Sequence, residues 1–139
     1  MPRTEVADLI RRLCEAQQEA VTHALQGVKF EDLDKSAPES DFTIKDVLRM
    51  WVWHYTSHHR DLIRARGSIE GDNPHFHVPH FVRQANEEFG RFIGELACFP
   101  DEQLDMRPPD GGRSVREIAQ HILETVTGFV TEKVDRKRQ

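Results

Sequence analysis

His54 and His58 are the two side chains whose type and spacing point most directly to chemistry. They stand four residues apart in DFTIKDVLRMWVWHYTSHHRDLIRARG, the stretch from Asp41 to Gly67. On a helix, residues i and i+4 are neighbours on one face, so two imidazoles there point at one spot a turn apart. Neutral imidazoles converging in a low-dielectric interior suit a divalent metal, with each ring's other nitrogen held by an outer partner. A second reading stays open on the same residues: two core histidines, each satisfied by one hydrogen bond and free of metal. No Glu follows His54, so the pair is not the HExxH of a zinc protease. His59, next in the row, falls on the outer side and is expected in solvent.

The helix that must position this pair has clear ends. Thr43 with Asp46 three residues later has capping-box spacing. Gly67 is expected to stop the helix, with Arg64 and Arg66 in the last turn suiting its dipole. Ile44, Trp51 and His58 fall on one line, and Val47, His54 and Asp61 on the adjacent one, so the pair lies in the stripe expected to face a core. Asp61, one turn beyond His58 on the same face, is either an acceptor for a ligand's N–H or a carboxylate at the bundle end in water. Trp51 and Tyr55 read as core or pocket wall, and Trp53 as surface.

Around this helix the chain reads as all-α. A first helix is expected from about Arg3 to Gln26, with Val6, Leu9, Leu13, Ala24 and Leu25 on its apolar face and Gly27 ending it. Residues 28–42 form a loop with apolar anchors at Phe30, Leu33 and Phe42. After a connection rich in Gly and Pro, a third helix begins near Pro79, with Val82, Ala85, Phe89, Phe92, Leu96 and Phe99 inward. A fourth begins at Ser114, whose partner Glu117 gives a second capping box, and carries Val115, Ile118, Ile122, Val126 and Phe129 inward. The basic tail from Lys133 reads as a solvated end.

Sliding the sequence on itself by 71 positions aligns Leu33 with Leu104, Asp34 with Asp105, Thr43 with Ser114, Lys45 with Arg116 and Val47 with Ile118. Helix–loop–helix therefore occurs twice, in halves of about 1–70 and 75–139. The expectation is a single-domain four-helix bundle with pseudo-twofold symmetry. Under the repeat Met50 lies opposite His121 in REIAQHILE, on the flank of the fourth helix's apolar stripe. His121 is structural or half-exposed on its own terms. Beside the pair it becomes a third nitrogen, and three His ligands leave a metal with an open position.

Composition sets outer bounds. At 139 residues and a net charge of -5, the chain is one domain's length and lacks the basic stripe of a nucleic-acid module. It has no run of apolar residues long enough to span a bilayer and no signal-peptide core at its start, so a cytoplasmic protein without membrane attachment is expected. Cys14 and Cys98 read as reduced, packed thiols. Eight histidines are many for this length. Three of them, His75, His77 and His80 in PHFHVPH, form a loop cluster read as surface.

Two segments resemble the DinB/YfiT-like superfamily of four-helix-bundle metalloenzymes. SVREIAQHI, with His121, is similar to that family's helix opening on a Ser/Thr cap and carrying one His. TIKDVLRMWVWHYTSHHRDLI, with His54 and His58, is similar to its HxxxH helix. The order of the two helices is reversed relative to the family's common order, a swap that a pseudo-twofold bundle accommodates. The resemblance implies a divalent metal, zinc or nickel, held by His54, His58 and His121. It also implies a metal-dependent transferase or hydrolase, with S-transfer chemistry on a small electrophile and a low-molecular-weight thiol such as bacillithiol or mycothiol. The alternative function class is a non-catalytic binding or stress-related bundle whose buried histidines hold no metal. A homodimer through Trp53 and the apolar flank of the fourth helix is compatible with either.

Overall fold

Thr4 to Gly27 form the first helix, α1, because its apolar and charged residues alternate at helical spacing and no proline interrupts them. Arg11 ties its exposed face together, donating to Asp8 one turn before and Glu15 one turn after. In this computed structural model, which describes residues 3–69 and 78–135, three further helices follow. They are α2 (Ile44–Ser68), α3 (Val78–Leu96) and α4 (Val115–Thr125). The last runs on through a π-helical turn, Val126–Val130, into a short α-turn, Thr131–Val134. Among the described residues no strand forms, and the fold is all-helical apart from short 3-10 turns and one isolated bridge between Ser36 and Thr43.

Helix starts follow the expected capping chemistry fully at Thr43 and in part at Ser114. Thr43 Oγ1 accepts from the Asp46 amide and the Asp46 carboxylate accepts from the Thr43 amide, both at 3.1 Å, so the capping box is complete. These bonds, the backbone one foremost, hold the Asp46 carboxyl below its ordinary range. Ser114 Oγ likewise accepts from the Glu117 amide at 3.1 Å. The expected second box is nevertheless only half made, because Glu117 turns its carboxylate to Arg107 instead. Gly67 does not stop α2. The helix passes through it to Ser68, and the closing bonds are Ile69 N–H to Ala65 and Ser68 Oγ to Arg64. Among the described glycines the one with positive φ is Gly111, at 81°, where a side chain would be strained.

The chain divides into two compact units, Met1–Asn73 and Pro74–Gln139. The first carries α1 and α2, the second α3 and α4. Each has the same junction between its loop and its second helix. In the first unit the Lys45 amide donates to Leu33 at 2.9 Å, and Lys45 Nζ pairs with Asp34 at 3.2 Å. In the second, the Arg116 amide donates to Leu104 at 2.9 Å, and Arg116 Nε pairs with Asp105 at 2.8 Å. The amides of Leu33 and Leu104 close 3-10 turns on Phe30 and Asp101 at 3.3 and 3.2 Å. Every one of these pairs is related by the same 71-residue step.

The apolar stripes are not covered within the described residues. No hydrophobic side chain is fully buried, and the one buried residue is the cap Ser114, 3% exposed. Leu9, Leu13, Phe89, Ile118, Ile122 and Phe129, expected inward, are all exposed, as are Phe30 and Phe42, expected to anchor the first loop. Both cysteines are free as expected, but exposed rather than packed. An amphipathic stripe spans about 100° or more of a helix, which is more than one neighbouring helix covers. A two-helix unit therefore leaves much of its apolar surface open.

Candidate metal centre

The two histidines of α2 stand together. Their ring centroids are 5.7 Å apart with planes inclined at 40°, as i, i+4 spacing dictates. His54 Nδ1 lies 2.7 Å from the Met50 carbonyl oxygen, one turn back. His58 Nδ1 lies 2.8 Å from a carboxylate oxygen of Asp61. A carbonyl and an ionised carboxylate can only accept, so each ring donates from Nδ1, and in the neutral ring Nε2 is then left as the acceptor. That is the tautomer a metal-ligating histidine uses, with the outer nitrogen donating to a carboxylate or backbone oxygen.

Asp61 accepts from His58 and is itself exposed to water. Other expectations fare differently. The pair was expected in a core, yet His54 and His58 are exposed on α2, as is His59. The reason is that α1 meets α2 at few points, the bonds from Gln17 among them, and leaves the rest of that face open. Trp53 is on the surface, 61% exposed, and packs edge-on against the His54 ring at 5.5 Å.

Trp51 is half-buried, and its indole N–H donates to Gln17 Oε1 of α1 at 3.1 Å. The Tyr55 hydroxyl donates to the same oxygen. Gln17 is the residue that sequence reasoning missed. It lies within the α1 stripe, four residues after Leu13 and seven before Ala24, and a polar residue on an apolar line is the one signal available. Its partners are 34 and 38 positions away.

His121 sits on α4 in the second unit, exposed, with its carbonyl accepting from Thr125 Oγ1 at 2.8 Å. Within the described residues of either unit, no three His, Cys, Asp or Glu side chains are grouped around one point. His54 and His58 thus belong to the first unit and His121 to the second. Of the loop cluster, His75 and His77 lie outside the described residues. His80 is half-buried, and its Nδ1 accepts from Arg83 at 3.2 Å, so it is engaged within α3.

One turn before His54, the side chains of Phe42, Asp46, Arg49, Met50 and Trp53 line a shallow concavity of about 380 Å³. Its walls are largely apolar, and Arg49 brings a guanidinium to its edge. No helix among the described residues is long and apolar enough to cross a membrane. No family model, curated protein or solved structure matches the chain.

Proposed function

We propose that the chain is a divalent-metal protein of the DinB/YfiT-like kind, with His54, His58 and His121 as its three nitrogen ligands. The observation that carries this reading is the paired tautomer on α2. Both Nδ1 atoms are engaged, with Met50 and Asp61, which in the neutral rings leaves both Nε2 atoms as the available donors on one helix face. The donor set is suited to zinc or nickel, for which neutral imidazole is a good ligand.

In this reading the four helices close into a single bundle of two helix–loop–helix repeats. The matched junctions at Lys45 and Arg116 support it, since equal loop geometry gives each unit the same helix entry. Closing the bundle would also cover the apolar faces that each unit leaves open.

With three protein ligands, a metal retains an open position at which a thiol can bind and lose its proton near neutral pH. The chain's own contribution is orientation. Asp61 holds the His58 ring in place, and the Met50 carbonyl does the same for His54. The apolar walls around Phe42 and Trp53 offer a surface for a small electrophile, and Arg49 a counter-charge for a carboxylate on the thiol. The activity class is S-transfer or a related transferase or hydrolase reaction, and the reading is of a cytoplasmic protein.

Cobalt(II) loading of the full chain tests this directly. Adding a low-molecular-weight thiol is expected to produce thiolate-to-metal absorption in the near ultraviolet, and His121→Ala to abolish it. Cobalt bound with no response to any thiol would leave a metal site without the proposed chemistry. The second reading, a non-catalytic bundle, is favoured by the fact that the Asp61 and Met50 bonds satisfy both rings without a metal. It predicts no cobalt uptake at all.

A further inference from the structure

Gln17 lies on α1, and one oxygen of its side chain receives two donors from α2: the Trp51 indole N–H and the Tyr55 hydroxyl. An indole N–H can only donate, so the amide must present its carbonyl oxygen to α2. The two donors are four residues apart, one turn along the helix. A single acceptor shared between two points of one helix fixes that helix's roll as well as its height.

The histidines share this arc. At about 100° per residue, Trp51, His54, Tyr55 and His58 fall within roughly 100° of the α2 circumference. Any roll of α2 that broke the bonds to Gln17 would swing both imidazoles through the same angle. By contrast, the bonds that orient the rings themselves, to Met50 and Asp61, are internal to α2 and would travel with it. They set the rings on the helix but not the helix on its neighbour. We infer that Gln17 is a positioning residue that sets the direction in which α2 presents His54 and His58 to a metal. The inference rests on the metal reading given above.

The test uses the full chain, with zinc alone as probe, in the parent, Gln17→Met and Gln17→Glu. Methionine keeps the length and removes the acceptor, whereas glutamate keeps the acceptor. Two readouts are taken: the indole N–H resonances of Trp51 and Trp53, and zinc affinity by competition with a chromophoric chelator. Gln17→Met is expected to move the Trp51 resonance and leave Trp53 in place. It should weaken zinc binding measurably, with unchanged stoichiometry. Gln17→Glu should restore both. Should Gln17→Met fail to fold, Tyr55→Phe removes one of the two donors with the ring intact and should weaken zinc in the same direction.

An unmoved Trp51 resonance in Gln17→Met, or parent-like zinc affinity in a folded Gln17→Met or Tyr55→Phe, overturns the positioning role. Failure of the underlying site has a different signature. A parent that does not take up zinc, or a His58→Ala variant that binds it as the parent does, removes the thing to be positioned. In that case the inference falls whatever the indole does.

Discussion

Asp61 accepts the Nδ1 proton of His58 across 2.8 Å, one helical turn further along α2. The bond fixes a tautomer and aims a free Nε2 away from the carboxylate. Replacing Asp61 by Asn or Ala should lower zinc affinity by about tenfold to a hundredfold while the far-ultraviolet helical signal is unchanged. The pair is exposed on both sides, so the change should not lower the unfolding midpoint appreciably. Competition with a chromophoric chelator measures the first effect and urea unfolding the second. Equal affinities in parent and Asp61→Ala would mean that His58 is not a ligand.

The two caps should prove equivalent. Thr43 and Ser114 each accept an amide proton three residues on, at the same 3.1 Å. Thr43→Ala and Ser114→Ala should each cost about 1 kcal/mol in urea unfolding, with the slope unchanged. A loss at one cap and none at the other would argue that the repeated junction is not repeated in energy.

Acid should unfold the first unit's loop–helix junction through two carboxyls. Asp32 is held below its ordinary range first by Lys35 and then by the Lys29 amide, and Asp46 first by the Thr43 amide and then by its hydroxyl. Both folded values lie under the unfolded one. Their contribution is therefore complete above the ordinary aspartate value of about 3.9 and is lost as pH falls through the lower folded values. Acid titration followed by circular dichroism should show this loss below about pH 4, and Asp46→Asn should make it shallower. An Asp46→Asn curve identical to the parent's would remove Asp46 from the account.

Gly90 and Gly94 lie within α3 on the side away from Val82, Phe89 and Leu96, and a Cβ at either meets no atom within 4 Å. Gly90→Ala and Gly94→Ala should each raise stability by up to about 1 kcal/mol. Destabilisation would show that this side of α3 is covered by other parts of the protein.

Much of the local architecture is legible in the sequence, because it is written in short-range chemistry. Thr43 and Ser114 declare the starts of α2 and α4, and the 71-residue match between Lys45 and Arg116 anticipates the amide bonds to Leu33 and Leu104 that the two junctions share. Short-range rules also mislead where one partner can choose between bonds. Glu117 prefers Arg107 to its own cap, and Gly67 stays helical because Ser68 and Ile69 close the helix one residue later. Burial is less legible still. A periodic stripe such as Phe89 and Leu96 says that a helix has an apolar face, not what covers it. For the candidate site, the i, i+4 spacing suffices to pair His54 with His58. The clamp at Gln17 joins residues 34 and 38 positions apart, which no local pattern encodes.

The central claim is that His54, His58 and His121 hold one divalent metal. It is met most directly by the metal content of untagged full-length protein, purified without chelator and measured by plasma mass spectrometry beside His58→Ala and His121→Ala. About one equivalent of zinc or nickel in the parent, with little in either variant, is the predicted result. Protein that stays folded yet holds no metal, even after reconstitution with both ions, would contradict it.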